Sequence, residues 1–342
     1  MRVGLTPRPT PRHRARGRLA RGTAALATTA AAALVLASLS GSGSPASADV
    51  VAASPAQLTA AMASSLAVTG TDYTVNIAPS SNGVGTSALA GFPSDGSTFA
   101  ILTNGSADAA DGPNGNEDDL PDISDDVSTN LGGATTRGGA FDATVLRVGV
   151  TVPAGANCLS VDFRFLSEEY PEFLQGMFND SFLAELDPVS PGSTWRISGS
   201  SVAAPRNFAF DPTHAPISIN AAGGTSMSRE SAAGTTYDGA TPILSASTPI
   251  TPGAHNVVFS IFDVSDHDVD SAVFLDNLRV GTVADPAQDC AAGATPKTYD
   301  LSLAPAGAAV ETGHQHTVTA TLVDAASGAA AGGAPFGSAC CA

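Results

Sequence analysis

Positive charge is scarce in this 342-residue chain: 15 Lys and Arg stand against 32 Asp and Glu, a formal net charge of −17. So acidic a surface repels nucleic acid and anionic lipid and favours cations. Aromatic side chains make up only 6% of the residues, with a single Trp. That is poor material for the ring-lined subsites of a polysaccharide hydrolase. The chain has no H-E-x-x-H and no G-x-S-x-G, so it lacks the zinc-protease helix and the serine nucleophile elbow. His214, His255 and His267 are scattered. No enzyme activity is expected.

Acids are missing altogether from residues 1–48, where seven Arg occur. An Ala-rich apolar run at 23–39 follows the arginines, and Ala46-Ser47-Ala48 has the small-x-small pattern of a signal-peptidase site. This order is that of a cleaved secretory leader, with an uncleaved N-terminal anchor as the alternative. Removing the seven leader Arg from 15 Lys and Arg leaves 8 against 32 acids, a net near −24 for the mature chain. The mature chain is expected outside the cell, secreted or on the cell surface, with no stable membrane insertion. Of the four cysteines, Cys158 and Cys290 fall in the expected folded region. An oxidising compartment favours a disulfide between them.

The 35 Gly and 23 Pro, with many Thr, Ser and Val, read as short strands separated by turns. Leu58, Met62 and Leu66 lie at helical spacing, which predicts one short helix over 57–68. Strands are expected at 99–102, 144–152, 159–165, 181–186, 195–198, 217–220, 255–262 and 272–280. In the last of these Asp276 and Asn277 interrupt the alternation. Strands without strand–helix alternation predict an all-β domain, a β-sandwich or jelly roll. The expected organisation is a signal peptide at 1–48, a sandwich at 49–283, a linker at 284–297 and a further β segment at 298–342. This last segment resembles the opening strands of bacterial immunoglobulin-like repeats of the invasin type. Its length is under half of a roughly 100-residue immunoglobulin-like domain, so a truncated repeat is expected.

Five motifs in order carry a second resemblance. They are Phe99-Ala100-Ile101-Leu102-Thr103-Asn104-Gly105-Ser106 with Asp111-Gly112-Pro113-Asn114; Phe141-Asp142-Ala143-Thr144-Val145-Leu146; Phe165-Leu166-Ser167-Glu168-Glu169-Tyr170-Pro171-Glu172-Phe173 with Phe178-Asn179-Asp180-Ser181-Phe182; Tyr237-Asp238-Gly239-Ala240-Thr241; and Ile261-Phe262-Asp263-Val264-Ser265-Asp266 with Asp270-Ser271-Ala272-Val273-Phe274. Together they resemble the choice-of-anchor L domain across roughly residues 56–282. The resemblance implies a secreted or surface module.

Asp263, Asp266, Asp268 and Asp270 place four carboxylates within eight residues at a strand end. Such a density of hard oxygen suits calcium, which accepts about 6–8 oxygen ligands in irregular geometry. The spacing is not that of an EF-hand, and a solvated turn is the alternative. Glu168, Glu169, Asn179 and Asp180 form a second acidic group that a sandwich brings near the first. Paired carboxylates also admit a glycosidase, but neighbours such as Glu168 and Glu169 point apart on an extended chain. Tyr170, Phe173, Phe178 and Phe182 are read as core before they are read as a ligand platform. The expected role is adhesion or ligand binding, to a glycan or a surface protein. A polysaccharide-acting hydrolase and a structural spacer are the alternatives.

Overall fold

The structure, a computed structural model, describes residues 50–63, 66–76, 78–114, 140–189, 193–265, 269–290, 299–304 and 319–324. The expected leader lies outside the described residues. In chain order the strands begin with β1 (Val50–Ala52), β2 (Val68–Val75), β3 (Asn82–Gly85), β4 (Phe99–Thr103) and β5 (Ala140–Val152). There follow β6 (Cys158–Ser167), β7 (Ser181–Leu186), β8 (Arg196–Ser198), β9 (Ser201–Ala203) and β10 (Gly239–Ala240). The remainder are β11 (Leu244–Pro249), β12 (Gly253–Val264), β13 (Ser271–Gly281), β14 (Tyr299–Ala304) and β15 (Thr319–Asp324). A first sheet runs β1-β3-β4-β13-β6-β10, with β11 also on β6; a second runs β2-β5-β12-β7. The all-β sandwich is therefore as the composition predicts.

Alternation along the strands explains why the two sheets stack. Leu146, Val148 and Val150 on β5, Phe259 and Ile261 on β12, and Phe163 and Phe165 on β6 are fully buried in one central cluster. Arg147 faces the other way and pairs with Asp72 of β2 at 2.8 Å. The outer faces are covered too, which accounts for a domain larger than a minimal sandwich. Phe92, Phe99 and Phe274 pack with ring centroids 5.0–5.9 Å apart over the first sheet. Trp195 stacks on Phe262 at 4.3 Å over the second. Phe182 is fully buried, so it belongs to the core.

The helix α1 (Pro55–Met62) is shorter than its apolar spacing predicts. Ser54 and Gln57 form a capping box and Pro55 occupies the first turn, so the start is well specified. Leu58 and Met62 enter the core. The end comes before residue 68 because Val68 opens β2, where β-branched residues pair with β5. Residues 217–220 form no strand; they meet β7 through a single bridge, Ser181 with Ser218. The interruption at Asp276 and Asn277 is a register shift in β13, with Asn277 at a φ of 52°. The two described pieces beyond residue 298 pair as antiparallel strands, Tyr299 opposite Asp324.

Cys158 at the start of β6 is bonded to Cys290, just past a short helical turn, α2 (Pro286–Asp289). The bond closes a separation of 132 residues, and long loops gain the most from cross-linking. Replacing both cysteines by serine is expected to cost about 2–5 kcal/mol in urea unfolding. A loss below about 1 kcal/mol would show that the loop is already held by β13 alone.

Candidate functional site

Four aspartates crowd together where strands of both sheets end. Asp142 lies in β5, Asp180 just before β7, Asp263 near the end of β12 and Asp270 just before β13. None is more than 1% exposed. The charges of Asp180, Asp270 and Asp142 act on Asp263, in that order.

Local backbone geometry aims these side chains. On β12, Ile261 pairs with Thr144 and Asp263 with Phe141, so two residues of β5 oppose one of β12. This is a β-bulge, and Asp142 within it has a φ of 46°. Aspartate tolerates the left-handed region better than most residues, yet the conformation still costs energy. Strain of this kind is held where function needs a side chain re-aimed. Asp270 lies against Gly105 so closely that a β-carbon at position 105 would overlap its carboxylate. Asn104 fixes the neighbouring edge: Ser271 N–H donates to its Oδ1 at 2.6 Å, and its Nδ2 donates to Asp180 Oδ2 at 2.8 Å.

A second ring of groups holds the first. The Asp180 N–H donates to Glu169 Oε2 at 3.1 Å. Glu168, in the turn after β6, takes a hydrogen bond from the Thr236 hydroxyl at 3.4 Å. Burial first, then the charges of Asp270 and Glu168, push the Tyr237 hydroxyl well above its usual range and keep it protonated. Asn114 donates to Asp238 at 2.8 Å. Residues from all five sequence motifs thus border one region.

Asp263 is the most exposed to the consequences of this crowding. Among the described residues no N–H donor reaches either of its carboxylate oxygens, and the group that shares a hydrogen bond with it is another acid, Asp180. Burial, followed by the three neighbouring carboxylates, raises its carboxyl well above the ordinary value. Such an arrangement calls for a proton or a cation between the acids.

Of the candidate ligands read from the sequence, Asp180, Asp263 and Asp270 come together, with Glu168 and Glu169 buried around them. Asn179 does not join them. Its Nδ2 donates to Ser200 O at 2.6 Å and its Oδ1 accepts from Asn220 N–H at 2.8 Å. Asp266 and Asp268 lie outside the described residues. Asp142 was not among those candidates; a charged residue opening an otherwise apolar strand was its signal. Among the described residues, no three His, Cys, Asp or Glu side chains stand ready as a metal cage.

Compared with known protein families, residues 49–278 match the Choice-of-anchor L domain. No curated protein and no solved structure matches the chain.

An acid whose folded-state pKa is raised binds its proton more tightly when folded. Its stabilising effect is full below the ordinary value of 3.8 and is lost as pH rises through the raised value. In chelator, the chain should lose stability as pH climbs from about 4 towards neutral, and Asp263→Asn should flatten that loss. Urea midpoints at several pH values check this; identical profiles for the two proteins would refute it. Gly105→Ala should cost about 1–3 kcal/mol by forcing Asp270 aside. A neutral result in the same unfolding assay would mean that Asp270 is free to move away.

Proposed function

The chain belongs to the choice-of-anchor L family, and from that premise we propose that it is a ligand-binding, adhesive module of the cell exterior, stabilised by calcium in its carboxylate cluster. Family membership implies a surface-associated or secreted protein. No helix among the described residues is long and apolar enough to cross a membrane. An N-terminal leader that is cleaved on export is part of this reading.

The observation that carries the calcium reading is Asp263, buried to 1% exposure among three other carboxylates and reached by no N–H donor among the described residues. At neutral pH a cation relieves that repulsion without protonating the group. Asp142, Asp180, Asp263 and Asp270 offer hard oxygen ligands, which suit calcium, and no His or Cys stands among them to favour zinc. The role of the ion is structural: it would lock the ends of β5, β12 and β13 together with the segment before β7.

Binding rather than catalysis fits the same geometry. Glu168 is 4% exposed and Glu169 1%, and the four aspartates are no more open. A polymer cannot bring a glycosidic bond to acids sealed in this way. The surplus of negative charge also makes nucleic acid an unsuitable partner.

Thermal unfolding of the purified chain in EDTA, and then with added calcium, tests the proposal. A ligand that binds only the folded state stabilises it by about 2.7 kcal/mol at a hundredfold excess over its dissociation constant. The midpoint should rise with calcium, and Asp263→Asn should remove most of the rise. A midpoint indifferent to calcium would sink the metal reading.

A further inference from the structure

Beside the carboxylate cluster, on the other side of the segment that enters β7, is a cavity of about 270 Å³. The β8–β9 hairpin forms one wall and the loop at 207–221 the other. We propose that this cavity is a binding site for a neutral sugar, one residue of a glycan chain. This deepens the adhesive reading by naming its ligand, but the cavity's own chemistry carries it.

Among the described residues the lining has no ionisable side chain. An anionic ligand would find no cation there, and a cationic one no carboxylate, so charged ligands lose their solvation with nothing in return. Half of the lining residues are Ser or Asn, among them Ser181, Ser201, Ser218 and Asn220. A purely apolar ligand would leave Asn220 Oδ1, a buried acceptor with no hydrogen bond among the described residues, unmatched. The rest is apolar, with Phe210 half-buried at the rim. Hydroxyl-matching groups around one apolar ring are the two surfaces a pyranose presents: an edge of hydroxyls and a face of C–H bonds. The volume is near the lower bound of about 300 Å³ for small-molecule sites, which suits a single sugar ring.

The site is held in shape before any ligand arrives. Asn179 ties the hairpin to the loop through Ser200 O and Asn220 N–H. The loop is tied to β7 by Phe182 N–H to Ile217 O at 2.9 Å and by Ile219 N–H to Asp180 O at 3.1 Å. Asn207 Oδ1 accepts from Ala184 N–H at 3.1 Å, anchoring the loop's start. Successive residues point to opposite sides of an extended chain. Asn179 and Ser181 therefore serve the cavity, while Asp180 between them serves the carboxylates.

The test is calorimetric titration of the purified chain with cellotriose, maltotriose and N,N′,N″-triacetylchitotriose, and with trigalacturonic acid as the charged counterpart. Each titration is run in calcium and in EDTA. At least one neutral trisaccharide should bind and the acidic one should not. Ser201→Tyr, a change at an exposed position that fills the cavity, should weaken binding at least tenfold while leaving the thermal midpoint in place. Phe210→Ala should weaken it as well. Failure of every neutral sugar, or binding that survives both substitutions, would overturn the proposal. Sugar binding in EDTA by a chain whose midpoint ignores calcium would support the cavity and bring down only the metal reading.

Discussion

A carboxylate moved from water into a protein interior loses several kcal/mol of solvation unless something replaces it. Asp263 is placed in that position, with Asp142, Asp180 and Asp270 adding their repulsion instead of relieving its own. Much of the surrounding architecture is explained by this requirement. The bulge in β5 turns Asp142 inward at a positive φ. Gly105 leaves room for Asp270, and Asn104 holds Asp180 by its amide. These devices bring acids together, against the ordinary tendency of a fold to keep them apart. The proposed cation would give the arrangement a physical purpose that core packing does not.

The sandwich supplies the stiffness such a cluster needs. Its central core of large aliphatic and aromatic side chains is continuous across both sheets. Further apolar clusters on the outer faces cover what a smaller sandwich would leave to solvent. Glu185, buried in β7, takes hydrogen bonds from Ser193 and Thr194 and so leads the chain to Trp195, which stacks on Phe262. Phe262 is the residue of β12 opposite the bulge. Packing on the outer face of the second sheet is thereby connected to the geometry of the acids.

The segment at 179–181 borders both the carboxylate cluster and the cavity. One of its residues faces the carboxylates, and its two neighbours face the neutral cavity. Rearrangement of the acids would be felt in the cavity through a single peptide unit, with no longer pathway needed. If calcium rigidifies the module as proposed, the cavity is already formed before a ligand arrives, which lowers the entropy lost on binding.

Acidity, the β class and the pairing of Cys158 with Cys290 were all legible in the sequence. Each depends on local order or on counting: an excess of acids, period-two alternation, two cysteines in the folded part. The helix was legible at its start, where Ser54, Pro55 and Gln57 act on adjacent residues. Its end was not, because pairing of Val68 with β5 is a contact across some 80 positions. The acidic motifs were visible too, and Asp180, Asp263 and Asp270, named there as candidates, lie together in the fold. Asp142 stood out as a charge in an apolar strand, but only the bulge, a mismatch in register between two strands, turns it inward. Asn179 was named beside them, but its hydrogen bonds go to Ser200 O and Asn220 N–H and not to the acids. The sequence by itself determined which residues carry the chemistry. Tertiary structure decided which of them meet, because strand register and burial are properties of paired segments and not of either segment alone.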